Sequence, residues 1–127
     1  MSFQSNQLFM ESRRAGADLT TKQFHFVKLN ATGKVIACDT AGERAYGVLL
    51  NAPNSNGVCQ ISKDPGGSDV VAGAAVTGPG VELTTNNAGR AVPATTDKHY
   101  VNGIALKAAS GNGVTISANL KTYQKNV

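Results

Sequence analysis

The 127-residue sequence has no Trp, only two His and two Cys, and four Pro. Each shortage removes a class of function. His25 and His99 have no Cys, His, Asp or Glu beside them at metal-ligand spacing, so neither reads as a zinc ligand. No Gly-x-Ser-x-Gly elbow, phosphate loop or dinucleotide fingerprint occurs, and the reading is therefore of a non-enzyme with no catalytic residue, no metal and no cofactor. Nothing nears the roughly 20 apolar residues of a membrane span, and residues 1–20 lack a signal-peptide core, so a chain made in the cytoplasm with no membrane contact is expected. In that compartment thiols stay reduced, and Cys38 and Cys59 read as small apolar filler.

Charge is also sparse and spread out. Twelve Lys and Arg against eight Asp and Glu leave a net charge of +4 and a pI of about 9.3. Only Arg13 and Arg14 are adjacent, and no basic stripe carries interleaved aromatics, which argues against direct nucleic-acid binding. The excess favours an acidic partner surface. Asp39 and Asp97 are carboxylates in corresponding loops, but no helper group accompanies them, so solvated loop charge is the default.

What the sequence does have is glycine, fourteen of them, with abundant Ala, Val, Thr and Asn. That composition describes short strands and tight turns in an all-β domain. The length suits one core. The organising feature is an internal repeat at an offset of 56: residues 33–58 share eight identities with residues 89–114. Gly47 falls on Gly103, Leu50 on Leu106, and Asn56-Gly57-Val58 on Asn112-Gly113-Val114. The alignment predicts two related β units, approximately 23–61 and 79–117, in a β domain spanning 21–122, with a tail at 123–127. The cluster Lys63 to Asp69 reads as the junction between copies.

Residues 1–20 stand outside this repeat and read as an N-terminal arm. Phe3, Leu8, Phe9 and Met10 are too apolar for a purely solvating tail, and Arg13 and Arg14 follow them. An arm that orders on a partner or neighbouring subunit is expected, and removal of residues 1–17 should then leave the β domain folded.

The order of motifs adds to this. An arm, then Phe24-His25-Phe26-Val27-Lys28-Leu29 with Gly33-Lys34-Val35, Glu43-Arg44-Ala45-Tyr46-Gly47-Val48-Leu49, Val71-Ala72-Gly73-Ala74-Ala75-Val76, Gly89-Arg90-Ala91-Val92 and Gly103-Ile104-Ala105-Leu106 resembles the head decoration, or capsid cement, proteins of tailed bacteriophages. The resemblance covers roughly residues 18–120. It implies a single small β-barrel or β-sandwich, jelly-roll or tulip-like, with an extended N-terminal arm. It also implies a homotrimer on the outer capsid surface of the virion, with the major capsid protein as partner and Phe3, Leu8, Phe9, Met10, Arg13 and Arg14 gripping the capsid or a sister subunit. The function so implied is a structural one, binding and stabilising the assembled capsid. A carbohydrate- or receptor-binding module on the phage particle is the alternative; it would want an aromatic platform, for which Tyr46, Tyr100 and Tyr123 are the candidates.

Overall fold

The computed structural model describes residues 10–126. Five strands, β1 (Met10–Arg14), β2 (Phe26–Leu29), β3 (Val35–Ala37), β4 (Gly47–Leu49) and β5 (Val58–Ser62), form one sheet in the order β1-β5-β4-β2-β3. Another five, β6 (Gly67–Val71), β7 (Glu82–Thr85), β8 (Ala91–Pro93), β9 (Tyr100–Ala105) and β10 (Thr115–Gln124), form a second in the order β6-β10-β9-β7-β8. The two orders are the same order. All strand neighbours are antiparallel. In each sheet the chain just past the first strand also touches the third through a parallel bridge, Ala15 with Val35 and Ala72 with Ala91. Each sheet therefore curls back on itself, and the two pack together as an all-β, barrel-like sandwich.

Alternation along the strands builds the cores. In the first half Ala15, Leu19, Val27, Val35, Leu49, Cys59 and Ile61 are buried together. Their counterparts Ala72, Val76, Leu83, Ala91, Ala105, Ile116 and Ala118 belong to a larger cluster, because Phe26, Cys38, Ala45 and Val48 reach into it from the first half. The two cysteines are free and sit in different clusters. Burial pushes the Cys38 thiol up to about 12, which keeps it protonated and inert.

The structure extends the repeat and shifts part of it. Strands β2 and β7, and β3 and β8, correspond at an offset of 56. The first and last strands of each half correspond at 57, since Arg14 pairs with Val58 as Val71 pairs with Thr115. Asn56 therefore matches Gly113, and the two Asn-Gly pairs do not overlay. The eight described residues with positive φ obey these offsets: Phe24 with Gly80, Gly33 with Gly89, Gly42 with Lys98, and Asn56 with Gly113. A backbone bend retained where the side chain differs shows that the path of the chain was duplicated, not a handful of glycines.

Residues 10–20, expected as part of the arm, belong to the β domain. β1 is hydrogen-bonded along its whole length to β5, while Ala15 and Leu19 are 1% and 2% exposed. Ala15-Gly16-Ala17 is the counterpart of Ala72-Gly73-Ala74: in both, a Cβ on the glycine would strike an Asn side chain, Asn30 at 2.7 Å or Asn86 at 2.5 Å. Gly67 to Asp69, expected as part of the junction loop, instead open β6, and β10 carries the chain into the expected tail as far as Gln124.

The halves are joined by backbone bonds as well as apolar contact. Phe26 N–H donates to Gly89 O at 2.7 Å, Val71 N–H to Phe24 O at 3.0 Å, and Gly42 N–H to Thr85 O at 2.9 Å. Asn102, 3% exposed, completes the seam: its Oδ1 accepts Ala45 N–H at 3.0 Å and its Nδ2 donates to Glu43 O at 3.0 Å. The side-chain amide supplies both the acceptor and the donor.

The outer side of the second half is closed by the chain's own end. Lys98 N–H donates to Lys125 O and Lys125 N–H to His99 O, both at 2.8 Å. Lys98 is the counterpart of Gly42, so Lys125 stands where Thr85 stands for the first half.

Candidate docking surface

Among the described residues the first half has an uncovered side, and its residues come from β1, β2, the loop before β4 and the loop after β5. On β1, Glu11 is opposite Ile61 and Arg13 opposite Cys59, so both lie on one face, while Met10, Ser12 and Arg14 lie on the other. The Glu11 carboxylate bonds Arg13, accepts the Tyr46 hydroxyl at 2.6 Å and meets Lys63 Nζ at 3.4 Å. Lys63 also sits 4.1 Å from the centre of the Tyr46 ring, and Arg13 lies 5.5 Å from it. Burial raises the Glu11 carboxyl, but bonds from Tyr46 and Arg13 and the Lys63 charge outweigh it, leaving the group below its ordinary value. The cluster keeps Glu11 ionised and holds Tyr46 flat beneath two cations.

Next to it an open cleft of ≈ 580 Å³ is lined by Lys28, Leu29, Arg44, Tyr46, Lys63 and Asp64, among others. Lys28 is held there by Asp39 at 2.6 Å and Glu43 at 2.9 Å, which raise its pKa. Arg44 is exposed at the rim. A cleft that is shallow, wet and mostly cationic suits a protein carboxylate surface better than an enclosed small molecule.

Of the arm residues singled out in the sequence, Phe3, Leu8 and Phe9 lie outside the described residues. Met10 is 41% exposed on the outward face of β1, and Val58, 43% exposed, shares that face on β5. Arg14 donates to Asn56 O at 3.3 Å. Thus Met10 and Arg14 face outward, whereas Arg13 is tied to the Glu11 cluster. Sequence reasoning did not single out Lys28, Arg44 or Lys63, because they are far apart along the chain and only strand pairing assembles them.

Of the three tyrosines considered as an aromatic platform, Tyr100 is half-buried on β9 and the other two are engaged by neighbouring side chains. Tyr46 is covered as described, and the Tyr123 hydroxyl bonds Glu82, with Lys121 Nζ 5.9 Å from its ring centre. Burial, then the Glu82 bond, pushes Tyr123 up to about 12.

His25 is structural. Arg90 Nε donates to its Nε2 at 3.3 Å, so Nδ1 carries the hydrogen and donates to Gln23 O at 3.0 Å. Burial, with lesser effects from Lys22 and Arg90, holds its pKa below the ordinary 6.5. An unfolded chain therefore takes up a proton that the folded one refuses. This contribution is complete above pH 6.5 and is lost as the pH falls below it, toward the lowered folded value. Melting curves should show a steeper loss between about pH 7 and pH 5 for the wild type than for His25→Gln; parallel slopes would refute this role.

No family model and no curated protein sequence matches the chain. A solved structure does. The head fiber gp8.5 N base of bacteriophage phi29 superposes with a TM-score of 0.66 at 18% identity, over 88% of this chain and 92% of that one. The two share a fold. The likeness spans nearly the whole of both chains, so it includes both halves and the seam between them.

Proposed function

We propose that this chain is a structural virion protein that binds the outer surface of an assembled phage capsid and stabilises it, acting by contact and not as an enzyme. The observation that carries the reading is the shared fold with a phage head fiber base, matched over 88% of the chain. The order of motifs in the sequence points the same way. The major capsid protein is the proposed partner, with attachment as a homotrimer. Three modest contacts held in one body gain strongly from effective concentration, so each can be small. Residues 1–9, which bring Phe3, Leu8 and Phe9, supply apolar area; each Å² buried contributes about 25 cal/mol before ordering is subtracted. Met10 and Arg14 carry the contact onto the outward face of β1.

Co-sedimentation with undecorated, expanded phage heads tests this. Full-length protein should bind saturably and raise the temperature at which the heads disrupt, and a chain lacking residues 1–9 should bind more weakly. Absence of saturable binding by the full-length protein would overturn the reading.

A further inference from the structure

The duplication supplies two copies of one face, and among the described residues only one is occupied. In the second half that face receives the first half: Val70 and Leu120 pack with Phe26 and Val48, Arg90 bonds His25, and Gly89 O and Thr85 O take the N–H groups of Phe26 and Gly42. The counterparts in the first half, by the offsets that the strand registers fix, are Arg13 for Val70, Lys63 for Leu120, Lys34 for Arg90, Gly33 for Gly89 and Leu29 for Thr85. Arg14 likewise replaces Val71, and Lys28 replaces Thr84. The receiving shape has been kept, with its apolar centre exchanged for cations. Its surface is the Tyr46 cluster and the ≈ 580 Å³ cleft beside it.

We propose that this face of the first half is a docking site for an acidic protein surface, which enters as an extended segment in the place that residues 24–42 take against the second half. Charge decides the occupant. Arg13, Lys28, Lys34, Arg44 and Lys63 gather on one side of a chain whose basic residues are otherwise dispersed; Glu11 holds Arg13 and Lys63, and Asp39 and Glu43 hold Lys28, so Lys34 and Arg44 are the cations that a partner's carboxylates would meet first. A second copy of the chain is a poorer fit. The only face it could offer in the same manner, around Glu82 and Lys98, is already bonded by its own C-terminal stretch: Lys125 Nζ meets Glu82 at 2.5 Å and Lys125 O accepts Lys98 N–H. That the acidic surface belongs to a capsid rests on the function proposed above; the face itself does not.

The test uses full-length protein carrying Lys34→Glu and Arg44→Glu, both exposed positions, against a control of equal charge change in the second half, Lys98→Glu and Lys107→Glu. On undecorated heads in moderate salt, the first pair should weaken binding by about tenfold or more and the control should not. Equal losses would overturn the proposal. A separate titration with poly-L-glutamate, followed by amide NMR, examines the face without a capsid. Shifts centred on Lys34, Arg44, Tyr46 and Lys63 support it, even if wild-type protein ignores heads and the capsid reading falls. Shifts spread evenly over all lysines, or none, would overturn it. Sedimentation that shows self-association abolished by the first pair would also overturn it, in favour of a second copy as occupant.

Discussion

Chains that begin at residue 18 are expected to lose cooperative folding, while chains that begin at residue 10 should melt as the full-length protein does. The shorter truncation leaves every described strand in place. The longer one removes all of β1, whose five residues pair with β5 from Ser62 to Val58, and with it Ala15, which is 1% exposed. Ala15 also fixes the curl of the first sheet, through its bridge to Val35 and its N–H bond to Gly57 O at 2.8 Å. Several ladder bonds at about 1 kcal/mol each, with the newly exposed side of Ile61 and Cys59, sum to on the order of 5 kcal/mol. That is comparable with the whole stability of a small domain. Circular dichroism melts of the two truncations check this; a sharp, undiminished transition in the residue-18 chain would show that the first sheet closes without its edge strand.

Gly47→Ala should be among the most damaging single substitutions. A Cβ there would lie 2.5 Å from Ile61 Cγ2 and 2.5 Å from Ser62 O. The second obstacle is backbone, and it is locked by the register that pairs Val48 with Ser62 and Leu49 with Ile61. The sheet must open or the strand must shift, at a cost of about 3 kcal/mol or more. The same substitution at Gly78 or Gly111, where nothing lies within 4 Å, is the control and should be close to neutral. Urea denaturation compares them, and equal midpoints for Gly47→Ala and Gly78→Ala would refute the packing argument.

The middle of each half was legible because strand, turn and strand there keep one spacing: Gly33 and Gly89 bend the chain alike, and Val35–Ala37 and Ala91–Pro93 follow at the same distance. The ends were not, for a definite reason. The first half has one residue more between Leu19 and Phe26 and one fewer beyond Pro53, so the spacing changes from 57 to 56 and back. The shared Asn-Gly-Val then aligned by composition one residue out of true register. With the register corrected, buried Cys59 falls on buried Ile116 instead of exposed Thr115. The same slip hid β1: Ala15-Gly16-Ala17 repeats as Ala72-Gly73-Ala74, and the strand before it has no apolar alternation because one of its faces carries Glu11 and Arg13. Of the docking surface, Arg13 was visible, with Arg14 beside it as the only adjacent cations. Lys28, Arg44 and Lys63 became neighbours only through the pairing of β2, β4 and β5.

The closing of the second half by Lys125 gives the molecule a direction and a fixed count. A heterologous contact of the kind that joins the halves generates a growing stack whenever each unit keeps both a giving and a receiving side. Here the giving side of the last unit is consumed within its own chain, by a stretch of residues that has no counterpart after the first unit. The series stops at two. Among the described residues one receiving side stays open, and on the docking proposed above each molecule adds to a larger body in one orientation and does not seed a filament there.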